Sequence, residues 1–384
     1  MKLIFEKEEL NRAVTPAMGS VSSKSTIPSI EGILFSPIND SECEIVAYDL
    51  EKGFKVSAPC QIQGNNNASF VLNANKINQI IKMMPEGDIT IEISERLLSR
   101  IYSGKSEFEL HAINGKDFPD LPELSGEKAF TVSQKLLADM IRETEFAIAN
   151  NDPRAALNGL FFLIKGTSIT IVSCDGNRLA LREHDCKIDN LITDGGDESI
   201  SFILPGKTVN ELTRLMGTKD EDKNVKIMVS HKHAVFNFDD YYFFSRLIDG
   251  NYIEYERFIP KTNKTFVKIN RYMFIQSLER ASLISEDRAA GQTKSNVKLT
   301  FEENILKITA VSVTGKVYDE IGTEMEGNNI EIGFNYRYLT DALKSTGVEY
   351  VKISMSSPFM SMIIEPAEPL EDERFLFLVL PVKM

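Results

Sequence analysis

Apolar positions along this chain fall into two matched series, and each series occurs three times. In the first, Leu3, Phe130 and Phe266 each open a short apolar strand, and Leu10, Leu137 and Met273 follow seven residues later. Each then enters a stretch with helical spacing: Leu10 to Val21, Leu136 to Ile148, and Met273 to Ile284. The second series reads FVLNANKINQIIKMMPEG from Phe70, FILPGKTVNELTRLMGT from Phe202, and IGFNYRYLTDALKSTGV from Ile332. Within it Leu72, Leu204 and Phe334 correspond, as do Ile77, Val209 and Leu339. The offsets are 127 and 136 residues in the first series and 132 and 130 in the second. Near-constant spacing predicts one supersecondary design used three times. Repeats that share buried faces build arcs, stacks or rings.

Each unit reads as two helices with strands around them. In the first, Ile30–Ser36 and Glu44–Ala47 alternate as half-buried strands about an Asn39-Asp40 turn. Ile77, Ile80, Ile81 and Met84 predict a helix over Ala74–Met84, with Asn73 as its cap and Pro85-Glu86-Gly87 as its stop. Further strands are predicted at Ile89–Ile93, Ser99–Tyr102 and Ser106–His111. The second unit repeats the scheme with strands at Gly159–Ile164, Ser168–Ser173, Val225–Val229 and Ala234–Phe238, and a helix at Lys207–Met216. The third closes with strands at Val351–Met355, Phe359–Ile364 and Phe375–Leu380. Connectors rich in Pro and charge, Phe118–Lys128 and Arg257–Lys264, divide the chain into units 1–126, 127–260 and 261–384. Two helices and many strands per unit is an α+β class, not a parallel βαβ fold.

Bulk properties narrow the function. A chain of 384 residues is too long for one ordinary core, and three units fit common domain sizes. No apolar run approaches the roughly 20 residues of a membrane helix. The opening MKLIFEKEEL has no signal-peptide core, and Cys43, Cys60, Cys174 and Cys186 suit no disulfide scaffold. A reducing cytoplasm and no membrane contact are expected. The net charge of −13 argues against nucleic acid unless acid and base are segregated on different surfaces.

Catalytic signatures are sparse. His231 and His233 form an H-x-H pair on a predicted strand face, which offers two metal ligands without a third close by. Cys174 ends a strand before Asp175-Gly176, where a small core hydrophobe is the plain reading. No phosphate-binding glycine loop, zinc-protease helix or nucleophile elbow occurs. No metal, cofactor or catalytic residue is expected. A metal-dependent hydrolase built on the His pair and a monomeric protein-binding repeat scaffold remain the alternatives.

Binding signals are stronger. The recurrent helices carry Arg12; Lys76 and Lys82; Lys135 and Arg142; Lys207 and Arg214; Arg271 and Arg280; Arg337 and Lys344. Such residues can attract phosphates without reading bases, although interspersed acids also suit an ordinary solvated face. The chain ends FLFLVLPVKM, where Pro381 stops the ladder.

Four signatures carry a resemblance: SCDGNRLALRE from Ser173, RLIDGNYIEYERFIP from Arg246, DFPDLP from Asp117, and the terminal LPVKM. They resemble the bacterial DNA polymerase III β subunit family, the sliding clamps, over the whole chain. The resemblance implies three tandem DNA-clamp domains and a head-to-tail homodimer ring around duplex DNA, with no enzymatic activity. It implies docking of the polymerase III catalytic subunit, the clamp loader and other clamp-binding-motif proteins in a groove. That groove would comprise Leu157, Cys174, Gly176, Asn177, Arg178, Leu179, Ile253, Arg257, Phe258, Leu378, Leu380, Pro381, Val382 and Lys383. Cys174, Asn177, Ile253 and Lys383 depart from the commonest family residues, so a shifted peptide preference is expected. DNA contacts are implied at Lys24, Lys76, Lys82, Asn151, Lys207 and Arg214; Ala155 and Ala156 stand where some relatives carry DNA-touching tyrosines. The dimer seam would set Phe108 and Leu110 against Leu283 and Ile284 of a second copy. A cytoplasmic protein associated with the nucleoid during replication follows.

Overall fold

The structure is a computed structural model that describes residues 1–64, 68–122, 128–192, 199–217, 223–285, 296–313 and 315–383. Among these are six α-helices: α1 (Lys7–Ala17), α2 (Ala74–Met83), α3 (Gln134–Arg142), α4 (Gly206–Leu215), α5 (Arg271–Ser285) and α6 (Tyr336–Lys344). The strands form four sheets, of five, ten, nine and four strands. The fold is α+β, as the sequence predicts.

The strand-to-helix junction is the recurring motif, and its chemistry recurs with it. Asn73 accepts the Lys76 amide at 3.0 Å, Asn270 accepts that of Met273 at 3.1 Å, and Asn335 accepts that of Arg337 at 3.0 Å. Each asparagine ends a strand and satisfies an amide in the first turn of the next helix. The paired positions of the second series are all fully buried: Leu72, Leu204 and Phe334, then Ile77, Val209 and Leu339.

The first series needs correction in its third copy. Leu3, Phe130, Leu10 and Leu137 are buried, but Phe266 and Met273 are 37% and 51% exposed. Their neighbours Val267 and Phe274 fill the core instead. A one-residue slip reverses which strand face is buried, so the true correspondence runs one residue later. Helix limits also move. α1 starts at Lys7 and passes at Met18–Ser20 into a 3-10 turn. α3 stops at Arg142 because Thr144 Oγ1 donates to the Met140 carbonyl at 2.7 Å and takes up the helix end. The strand predicted from Phe359 begins only at Met362, because Pro358 and Phe359 occupy a turn.

Two compact units result. The first comprises 1–135, 189–194 and 210–247; the second comprises 136–188, 195–209 and 248–384. In the first unit, strands from two successive repeats share one ten-stranded sheet: Lys52–Pro59 pairs with Tyr241–Arg246, with Gly53 opposite Phe244. A Cβ at Gly53 would collide with the Phe244 ring, so the joint requires glycine there. In the second unit, Arg178–Asp185 pairs with Glu373–Val379 and makes a nine-stranded sheet from the second and third repeats. The remaining sheets end differently. The five-stranded sheet stops at Ser106–His111 and the four-stranded sheet at Lys316–Gly322. Each of these strands pairs on one side only among the described residues.

Candidate functional site

A cavity of about 380 Å³ opens in the second unit beside the joint between Arg178–Asp185 and Glu373–Val379. Its tightest wall is the turn after Cys174. Asp175 Oδ1 accepts the amides of Asn177 and Arg178 at 2.9 and 3.0 Å, an Asx turn that Gly176 completes with φ of 88°. Leu179, Leu378, Ile253 and Cys174 give the wall its apolar character, and Gly176, Asn177, Arg178, Arg257, Phe258 and Leu380 of the expected set also line it. Leu157 does not line the cavity; it is fully buried and packs beneath it with Val172, Leu179 and Leu376. Burial pushes the Cys174 thiol up from its ordinary range, so it stays protonated and acts as a small apolar surface.

The cavity is also lined by Arg154, Phe359, Met360 and Ser361, which the sequence reading missed. Phe359 is 85% exposed. Its position in a presumed strand concealed it, and Pro358 was the available signal for a turn. Phe359 also borders a second cavity of about 560 Å³, and Pro381, Val382 and Lys383 line that one rather than the first. Lys298 and Glu331, an ion pair at 3.2 Å, stand at its edge.

The three arginines of the first cavity differ in freedom. Arg154 pairs with Asp152 at 2.9 Å and, through that bond, pulls the Asp152 carboxyl down to about 2. Arg257 pairs with Glu254 while its side chain stays 78% exposed. Arg178 is enclosed, with its side chain 13% exposed and two carboxylate partners, Asp175 and Asp341.

The expected phosphate-binding residues divide by pairing. Lys24, Lys76 and Lys82 in the first unit and Lys207 in the second are exposed and carry no ion pair among the described residues. Asn151 is exposed with a left-handed φ of 59°. Arg214 is engaged, with Glu211 at 2.5 Å and the Pro16 carbonyl at 3.1 Å. Several recurrent helix bases are likewise taken up: Arg12 by Glu9 and Asp240, Arg142 by Asp139, Arg280 by Asp319, and Lys344 by Glu279. Arg271 is buried and donates to the Leu343 carbonyl, so it contributes nothing to a basic surface.

Phe108 and Leu110 lie on the single-sided strand Ser106–His111, with Phe108 41% exposed. Leu283 and Ile284 end α5, which packs against Lys316–Gly322, and Leu283 is 81% exposed. His231 and His233 do not share a strand face: His233 begins a strand, while His231 sits in the preceding turn, closed by the Ser230 amide on the His233 carbonyl.

Three models of the DNA polymerase III beta subunit match in tandem: the N-terminal domain over residues 1–122, the central domain over 131–254 and the C-terminal domain over 256–383. The chain belongs to the DNA polymerase III beta subunit family. It is 30% identical over 392 residues to the beta sliding clamp of Haemophilus influenzae and 29% identical over 393 residues to that of Bacillus subtilis, with the whole of each chain covered. Among solved structures, a putative DNA polymerase III beta subunit from Eubacterium rectale superposes with a TM-score of 0.91 at 27% identity, covering 100% of both chains. The DNA polymerase sliding clamp of Bacillus subtilis gives 0.89 at 29% identity, covering 100% of this chain and 99% of that one. Three tandem clamp domains, with six helices and their sheets among the described residues, therefore give this chain the beta-subunit fold.

Proposed function

We propose that this chain is a non-catalytic processivity clamp. Two copies join head to tail around duplex DNA and tether the replicative polymerase. The observation that carries this reading is the pair of single-sided edge strands. Two of the sheets run on from one repeat to the next, with ten and nine strands, while the five- and four-stranded sheets each stop at an unpaired edge. Exposed edges invite pairing with another chain. Joining Ser106–His111 of one copy to Lys316–Gly322 of the next would give sheets of nine strands, like those already made within the chain. Two heterologous joints of this kind close a twofold ring. Phe108 and Leu110 would then meet Leu283 and Ile284 and cover side chains otherwise left in water.

Enclosure accounts for an acidic protein on DNA. A ring needs no tight phosphate grip, so a few unpaired amines (Lys24, Lys76, Lys82 and Lys207), together with Asn151 and Arg214, suffice for weak, sequence-independent contact. The apolar cavity beside the second joint suits a short peptide with bulky apolar side chains, carried by the polymerase III catalytic subunit, the clamp loader and other clamp-binding proteins. No helix of the described residues is long and apolar enough to cross a membrane, and a site of action in the cytoplasm, at the nucleoid, fits this role.

The deciding experiment loads labelled protein onto nicked circular duplex and then linearises the DNA. Retention on circles at high salt and rapid loss from ends is the expected result; equal loss from both would remove enclosure as the mechanism.

A further inference from the structure

Arg178 borders the groove, yet its guanidinium is held by the protein itself. Nε donates to Asp175 Oδ2 at 2.9 Å, and Nη1 donates to Asp341 Oδ2 at 2.5 Å. The plane lies 4.6 Å from the Tyr338 ring centroid and 5.4 Å from that of Phe146. Asp341 and Tyr338 belong to α6 and line neither cavity. Two carboxylates and two rings leave this cation little to offer a ligand.

We infer that Arg178 is a positioning residue: it pins the Asp175–Asn177 turn to helix α6, so that peptide affinity depends on Asp341, a residue outside the groove. The inference rests on the groove reading above. The turn's other restraints are mostly local: the Asp175 amide donates to the Arg178 carbonyl at 3.2 Å, the Gly176 amide to Cys174 Sγ at 3.4 Å, and Cys174 pairs with Leu179 across the hairpin. Gly176 is free of a Cβ and left-handed, and the Asx turn is short-range. The Asn177 carbonyl also accepts the Leu380 amide at 2.8 Å, so a turn that drifts takes the opposite wall with it. A lysine cannot replace this arginine, because a point charge neither bridges two carboxylates nor stacks on a ring.

The test measures binding of a fluorescein-labelled peptide carrying two leucines and a phenylalanine to the full-length protein, with melting temperatures alongside. Leu380→Asp, at the exposed cavity rim, checks the groove first; unchanged binding there refutes the groove, and the inference falls with it. If the groove stands, Asp341→Asn lowers affinity about tenfold, Arg178→Lys does the same, and the double variant is no worse than either, since both remove one coupled pair. Wild-type affinity in Asp341→Asn with a loss in Arg178→Lys would mean that the arginine touches peptide directly, and would overturn the inference while leaving the groove intact. Additive losses in the double variant, or a loss in Asp341→Asn without coupling to Arg178, would overturn it as well.

Discussion

The Leu380 amide donates to the Asn177 carbonyl at 2.8 Å, and that bond holds the end of the chain against the turn that walls the groove. Two residues later the Val382 amide donates to the Gly333 carbonyl at 2.9 Å. Pro381 between them has no amide to offer a strand partner, so the tail leaves the ladder and runs as a strap between the two cavities. Deleting Val382–Met384 removes the second bond and a wall of the larger cavity. Peptide affinity is expected to fall several-fold in a fluorescence titration, with the oligomer unchanged by light scattering. Phe359→Ala is expected to cost about 1 kcal/mol or more of binding, as a central aromatic contact does. Its melting temperature should stay close to wild type, because the exposed ring supports no core. A normal titration for both variants would count against the groove.

The two edge strands make a separate prediction. Phe108→Asp combined with Leu283→Asp places like charges where two copies should meet, and charges buried without a partner oppose association. Both residues are exposed in the single chain, so folding should be spared. The expected result is a cooperative melt near wild type and a monomer by light scattering; a persistent dimer would move the seam elsewhere.

Much of this fold was legible in the sequence, for a physical reason. Where a helix and a strand share one buried face, spacing reports that face directly, and Leu72, Leu204 and Phe334 were placed correctly on that ground. The strand Thr265–Asn270 misled because Phe266 is both bulky and exposed, so the larger side chain drew the register to itself. The groove was legible only through family resemblance. Its apolar residues also satisfy a core pattern, and nothing in spacing distinguishes Leu378, which is both core and wall. Pairing was legible only in part: Glu211 stands three residues before Arg214 on α4 while Lys82 has no acid three or four residues before it, but only the fold brings the Pro16 carbonyl to the arginine.

That difference in pairing predicts a difference in DNA binding. Lys76 and Lys82 can meet phosphate without breaking an existing bond, whereas Arg214 must first leave Glu211. Lys76→Ala and Lys82→Ala should each weaken binding to short linear duplex and reduce the salt slope by about one counterion. Arg214→Ala should do less on both measures. Equal effects from all three would mean that the Arg214–Glu211 pair opens freely on DNA.

Titration of an acid at the end of α3, packed against the nine-stranded sheet, gives the last prediction. Glu143 approaches Arg182 at 2.6 Å, and Arg182 also binds Glu373 at 2.9 Å. Burial still outweighs the attraction of Arg182, and with Glu373 repelling as well the Glu143 carboxyl is pushed up to about 7. A raised acid keeps its proton in the folded chain after the unfolded chain has lost it. Stability contributed by the neutral form is therefore full below the ordinary glutamate range and is lost as pH rises towards 7, by at most about 1.4 kcal/mol per pH unit. Above that window the contribution is flat. Glu143→Gln keeps a neutral side chain in place, so its melting temperature at pH 8 should equal or exceed wild type, with the difference closing towards pH 5. Glu373→Gln removes the repelling carboxylate and should shift the window to lower pH. Thermal melts of the three proteins between pH 5 and 8 measure both effects; a Glu143→Gln variant that is less stable than wild type at pH 8, with the deficit shrinking in acid, would mean that the attraction of Arg182 dominates and that the carboxyl titrates below its ordinary range.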